Sequence, residues 1–266
     1  MQSSGLKFRL LIGVVMAIVA FMSYYSKNQV NPITGEKQHI DLTPQQEVAM
    51  GLQSAPQMAQ EYGGLYNDNE VQQQAKAVGY KLVKQVDDEA KAKGMSIPYQ
   101  FDFQVLADDK TVNAFALPGG QIFITVGLLN RLKSEDQLAG VLGHEIGHVI
   151  HRHSAQQMAK SDFYNGLVGA VATATSDETG MGGGQIAQYV AQIQEMKFGR
   201  NDELQSDEFG VRYIINAGYN PNAMIEVMAI LAEASGGQQR DEFMSSHPSP
   251  ENRIAKIKEY IAKYSK

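Results

Sequence analysis

The 266-residue chain contains no cysteine. Disulfides, thiolate metal sites, thiol catalysis and a lipid-modified N-terminal cysteine are therefore excluded. Positive charge is not in excess either. The formal net charge is −6, which argues against a general nucleic-acid binder with its basic stripe. No internal repeat or low-complexity tract occurs. The glycine-rich run from Gly180 to Gly184 is not followed by Gly-Lys-Ser/Thr, so it is no phosphate loop. What is present is ordinary for a folded protein, with 43% hydrophobic and 20% charged residues. The length suits one sizeable domain or two small ones.

The first 25 residues differ in kind. Lys7 and Arg9 precede an uncharged apolar run from Leu10 to Met22, the pattern of a targeting segment that stands outside the fold. The run is shorter than the roughly 20 residues of a membrane span, and Ser23-Tyr24-Tyr25 extends it into the interface. No small-x-small cleavage site follows, so an uncleaved anchor is favoured over a removed signal peptide. The basic residues stay cytoplasmic. That puts the remainder in the periplasm of a bacterial cell envelope, or makes it soluble or secreted if the segment is cut. The expected organisation is an anchor at 1–25, a linker at 26–42 with a turn at Asn31-Pro32-Ile33-Thr34-Gly35, and one folded domain at 43–266.

The strongest motif is His144-Glu145-Ile146-Gly147-His148, inside an apolar-periodic stretch capped by Ser134 and Gln137. Four residues apart on a helix, the two imidazoles project from one face. So placed, they can grip one zinc ion at about 2.0–2.1 Å each. Glu145 lies one step round the helix, where it can take a proton from an attacking water. The helix is expected to continue to about Lys160. His151 then reaches toward the motif's face while His153 points elsewhere, which leaves both in supporting or surface roles. A catalytic zinc needs three protein ligands and an open position. Glu203 and Asp207 share a face of a later helix, and Glu203 is the best third ligand. Asp207 is a natural acceptor for an imidazole N–H.

Around the motif the chain alternates in period. Thr43-Pro44-Gln45-Gln46 starts a helix to Glu61, and a second runs from Asn69 to Lys93 with Val71, Ala75, Val78, Leu82 and Val86 on one face. Tyr99 to Val105, Thr111 to Leu117 and Gln121 to Val126 read as three strands. The segment around Asn113 and Ala114 fits either an edge strand that pairs with a peptide or a plain buried strand. Helices are expected at Gln185–Phe198, from Asn201 to Ala217, from Pro221 to Ala234 and around Arg253 to Ile261.

Together these residues resemble the membrane-associated zinc endopeptidases that include the HtpX-like, Oma-like and CAAX prenyl proteases. The resemblance rests on Asn31 to Gly35, Val112 to Gly120, His144 to His148, Glu203-x-x-x-Asp207 and Ser246-His247-Pro248. It implies an α+β, mainly helical zincin-like fold with about three strands beside the active-site helix. It implies one zinc held by His144, His148 and Glu203, with Glu145 as general base and acid and Asp207 orienting His144. Asn113 and Ala114 would contact the substrate backbone, and His247 and Arg253 would lie near the scissile carbonyl. The metzincin pattern fails, because His151 and Ser154 stand where a glycine and a third histidine are required. One candidate membrane segment suggests the Oma-like or periplasmic branch, acting on misfolded or unassembled envelope polypeptides. A zinc-stabilised chaperone or binding module without turnover is the alternative. Chemistry adds that His247 could occupy a fourth zinc position and hold the enzyme latent.

Overall fold

The computed structural model describes residues 2–175, 197–235, 240–247 and 252–265. Its centre is helix α5 (Glu135–Ile150), in which every residue from Gln137 to Ile150 is buried. A helix covered on all sides must have neighbours on all sides. These are α3 (Asn69–Ala92), α7 (Arg200–Asn216), α8 (Ala223–Ser235) and strand β5 (Ala114–Ala116). Ser134 caps the N-terminus by accepting from Gln137 N, while the Gln137 side chain accepts from Lys133 N.

The sheet supports the helix from one side. Strands β3 (Asp102–Leu106), β6 (Gln121–Thr125) and β5 lie in the order β3-β6-β5, with β6 parallel to β3 and antiparallel to β5. The strand expected over Thr111–Leu117 is therefore divided. Its first part, β4 (Thr111–Val112), leaves the sheet and pairs in parallel with β7 (Arg240–Asp241). Helix α3 buries Ala75, Val78, Leu82 and Val86 in the main core, at about 1.5–3 kcal/mol for each larger aliphatic side chain. Helix α2 (Pro44–Glu61) begins with the expected capping box of Thr43 and Gln46.

Segment 26–42 holds the far end of α5. It carries the hairpin β1 (Gln29–Val30) and β2 (Lys37–Gln38). The Asn31 side chain donates to Ile150 O at 2.8 Å, and Gln38 Nε2 donates to His151 O at 2.8 Å. Those carbonyls end a helix and have no partner within it.

Helix α5 does not run on to Lys160. It stops at His151, and α6 (His153–Thr175) starts in a new direction. Between them Arg152 adopts φ 58°, a left-handed conformation rare outside glycine and asparagine. Its guanidinium fixes the turn: Nε donates to Glu47 Oε1 at 2.7 Å and Nη2 to Leu42 O at 2.6 Å, with Arg152 and Glu47 both buried. Helix α1 (Gln2–Ser26) contains a stretch, Lys7–Ser26, long and apolar enough to cross a membrane. The chain closes with α9 (Phe243–Ser246) and α10 (Arg253–Tyr264). The helix expected over Gln185–Phe198 and the glycine run 180–184 lie outside the described residues, apart from 197 and 198, which are not helical.

Candidate metal centre

Two helices approach closely enough to bring distant residues into one cluster. A Cβ on Gly147 of α5 would lie 2.9 Å from Ser206 Cα of α7. One on Gly143 would lie 3.3 Å from Gly210 Cα. Without side chains at these positions the backbones pack nearly in contact, and Glu203, at the start of α7, comes to the histidine face of α5.

The result is a buried set of four potential donors, His144, His148, Glu203 and His247, whose ligand atoms all lie within 4.8 Å of one another. His144 Nε2 and His148 Nε2 are 3.0 Å apart. Glu203 offers Oε2 at 3.5 Å from His144 Nε2 and Oε1 at 3.5 Å from His148 Nε2. His247 Nδ1 is 3.0 Å from Glu203 Oε1 and 3.4 Å from His144 Nε2. Phe198, at 4.1 Å from the His148 ring, and Phe243, stacked 4.3 Å from His247, close the wall.

The outer hydrogen bonds decide which ring nitrogens carry protons. Asp207 Oδ1 sits 2.9 Å from His144 Nδ1, and a carboxylate only accepts, so Nδ1 donates and Nε2 presents its lone pair. For His148 the logic runs through a longer chain. Gln205 Nε2 donates to Glu36 Oε1 at 3.3 Å, which turns Gln205 Oε1 toward His153 Nε2 at 3.1 Å. His153 therefore donates from Nε2 and accepts at Nδ1. The Nδ1 of His148, 3.0 Å away, donates to it, and His148 Nε2 is bare. Two bare imidazole nitrogens 3.0 Å apart beside a carboxylate repel each other unless a cation or proton lies between them. The donor set fits a metal ion, and two histidines with a glutamate suit zinc.

Titration follows the same geometry. Burial pulls His144 down, but Asp207 and Glu203 prevail and push it up to about 9. His148 is held well below its ordinary value by burial and by His144 and His247. Burial raises Glu203, yet His247 and His144 bring it far below the carboxylate range. Burial also raises Glu145. Both Glu145 oxygens, and His247 Nε2 facing Oε1 at 3.8 Å, are buried without a hydrogen-bond partner. A buried carboxylate without a protein partner is costly, and such groups concentrate at functional sites.

The expected residues fall into two groups. His144, His148, Glu203, His247, Glu145 and Asp207 come together. Arg253 joins them from behind: its Nε is 2.7 Å from Asp207 Oδ2, and its Nη1 is 2.9 Å from Glu203 Oε2. Both carboxylates engage it, so it supports the donors. Ala114 is fully buried at the sheet's edge strand, beside α5. Asn113 Nδ2 donates to Tyr62 OH at 3.2 Å, and Tyr62 OH donates to Glu242 Oε2 at 2.7 Å. His151 ends α5, 3.5 Å from Glu36.

His153 is the correction. On an unbroken helix it would point away from His148; the turn at Arg152 brings it back, buried, into contact. Spacing carried no signal for it, nor for Gln205 and Ser206, whose Oγ lies 3.3 Å from His153 Nδ1.

Comparison with known proteins agrees with this geometry. The model of peptidase family M48 matches residues 76–261. Mitochondrial metalloendopeptidase OMA1 of Schizosaccharomyces pombe is 28% identical over 259 residues, 96% of this chain and 72% of that protein. The beta-barrel assembly-enhancing protease of Yersinia pestis is 28% identical over 253 residues, 92% of this chain and 50% of its own length. OMA1 of Arabidopsis thaliana is 30% identical over 149 residues, 56% and 29% of the respective chains. The chain thus spans half or less of the latter two relatives.

Proposed function

The chain belongs to peptidase family M48, and from that premise we propose that it is a zinc-dependent endopeptidase acting on envelope or membrane proteins. One observation carries the reading: an unpartnered, buried Glu145 stands beside a four-donor cluster in which two imidazole nitrogens 3.0 Å apart face a carboxylate, an arrangement that a bound cation satisfies. His144, His148 and Glu203 would hold the zinc. When bound, zinc supplies Lewis acidity toward a carbonyl oxygen and lowers the pKa of a water to about 7. Glu145 accepts the proton of the water that attacks the peptide carbon. As the C–N bond breaks, Glu145 gives that proton to the leaving amine. His247, whose Nδ1 donates to Glu203 Oε1, offers Nε2 as a donor toward the developing oxyanion when both ring nitrogens carry protons. Asp207 holds the His144 tautomer, and Arg253 holds Asp207 and Glu203. A substrate strand added at the outer edge of β5 would run along α5, with Asn113 and Ala114 at its backbone.

Residues 1–25 serve as the anchor and 43–266 as the periplasmic peptidase domain. The Yersinia pestis relative is named for enhancing beta-barrel assembly, which supports polypeptide substrates; for this chain the substrates we propose are misfolded or unassembled envelope polypeptides. A chaperone or binding module without turnover is disfavoured, because a structural zinc site gains nothing from Glu145.

The test is metal content and casein cleavage by the full chain in detergent, wild type beside Glu145→Gln. One zinc in both proteins is expected, with cleavage reduced at least ~100-fold in the variant. A folded wild-type protein that takes up no zinc would refute the assignment. A second reading follows from His247, which already belongs to the cluster: as a fourth ligand it would keep the enzyme latent. His247→Ala then raises cleavage, whereas a role at the oxyanion predicts loss.

A further inference from the structure

Helix α1 does not stand alone. Helix α6 lies antiparallel against it: Phe163 is 4.9 Å ring to ring from Tyr24 and 6.4 Å from Phe21. One turn on, a Cβ at Gly166 would lie 3.1 Å from Ala20 Cβ. In that register Val168 is level with Ile18, and at ~1.5 Å per residue the end of α6 reaches roughly the level of Leu11.

Charge, aromatic placement and exposure agree along this pair. Helix α6 carries no charged residue from Phe163 to Thr175, and α1 carries none from Leu10 to Ser26. The charges that bound the two stretches, Asp162 and Lys27, line one crevice, so both apolar stretches begin at the same level. The rings of Tyr24, Tyr25, Phe163 and Tyr164 gather there, with neighbouring centroids 4.9–5.6 Å apart. Aromatic side chains with polar tips favour the membrane–water interface. Past Asn165, itself exposed beside the aromatic rings, the outward side chains described are apolar: Val14 is 56% exposed, Ile18 52% and Val168 67%. A band of that kind, continuous over two helices, is disfavoured in water and suited to lipid. Direction agrees as well. The chain leaves α1 on the domain's side, and α6 descends from the domain on that same side.

We infer that α6 enters the lipid bilayer beside α1, as a second membrane segment whose partner is the hydrocarbon core. The inference rests on reading α1 as the membrane anchor. Because α6 begins at His153, in contact with His148, about 14 Å of helix joins the metal cluster to the charge boundary at Asp162. The peptidase centre is then held at a fixed height above the membrane surface.

The cysteine-free chain makes the test direct. Full-length Ile18→Cys, Val168→Cys and Leu52→Cys proteins are reconstituted in phosphatidylethanolamine/phosphatidylglycerol vesicles and labelled with an environment-sensitive fluorophore. Leu52 is an exposed residue of α2 and serves as the aqueous reference. Lipids carrying nitroxides at two depths should quench positions 18 and 168 to the same depth and leave position 52 unaffected. A membrane-impermeant maleimide should modify only position 52 rapidly. If position 168 reacts as fast as 52 while 18 stays protected, α6 lies outside the bilayer and the proposal fails with the anchor intact. If 18 and 168 both react, the anchor reading fails and the proposal falls with it.

Discussion

His144 and His148 are the same side chain one helical turn apart, and they are held in opposite ways. His144 leans on an ionic stack, Asp207 and then Arg253, buried and charged. His148 leans on a neutral relay of His153 and Gln205 that reaches a charge only at half-exposed Glu36. Both arrangements turn Nε2 toward the cluster, while Asp207 and Glu203 raise the basicity of His144, and burial with the neighbouring His144 and His247 suppresses that of His148. The lesson is that tautomer can be fixed by either chemistry, whereas a neutral relay supplies no counter-charge to offset burial. An ionic partner binds its ring strongly and couples it to the fold's stability; a neutral relay orients its ring with less at stake.

That contrast is most easily broken by removing each outer partner in turn. Asp207→Asn deprives buried Arg253 of its main counter-charge and should cost about 3–5 kcal/mol of stability. Metal affinity should fall 10–100-fold. His153→Gln leaves no charge stranded and should cost about 1–3 kcal/mol, with the smaller loss of affinity. Denaturant unfolding and zinc competition with a chelating dye measure both. Equal losses in the two variants would mean that the ionic and neutral supports are equivalent, and the distinction would be void.

A finer probe concerns the packing that brings both supports to α5. In Gly147→Ala the new methyl would meet Ser206 Cα at 2.9 Å, a backbone atom that can move only with α7. Since α7 carries Asp207 as well as Glu203, Gln205 and Ser206, the shift should loosen the supports of both imidazoles. The expected cost is about 1–3 kcal/mol, with reduced zinc affinity. Gly140→Ala, in the same helix, meets Met224 Cγ at 3.2 Å, the middle of an adaptable side chain. It should be tolerated far better. Similar behaviour of the two variants would show that helix proximity at Gly147 is not what sets the site.

The same packing explains what could be read in advance. His144, Glu145 and His148 were legible because three- and four-residue spacing is a local property of any helix, and Glu203 with Asp207 obeys the same rule. The Thr43–Gln46 capping box, the Ser134 cap and the three strands are local signals too, although the Gln137 side chain turns to Lys133 N and does not close a second box. A supporting role for His153 was among the expectations, but its contact with His148 was not legible. Its position depends on a positive φ at Arg152, secured by Glu47, 105 residues earlier in the chain. Nor could spacing show that Thr111–Leu117 divides at Asn113, since the cause is pairing of β4 with β7 near residue 240. The antiparallel contact of α1 with α6 joins residues more than a hundred positions apart. What escaped the sequence is in each case a long-range contact that redirects a locally ordinary segment.

The smallest expected effect isolates the site from the helix that bears it. Ser134→Ala removes the N-cap hydrogen bond to Gln137 N and should cost about 1 kcal/mol. At ~1.5 Å per residue the cap is roughly 20 Å along the axis from His148, and none of the supports of either imidazole touches it. Stability should therefore fall with zinc affinity and the ratio of the two outer-partner effects unchanged, measured as before. A parallel drop in affinity would mean that α5 transmits end-fraying to the cluster. Stability and ligand geometry would then be one property of this helix, and the contrast between its two histidines would need to be drawn along the axis as well as around it.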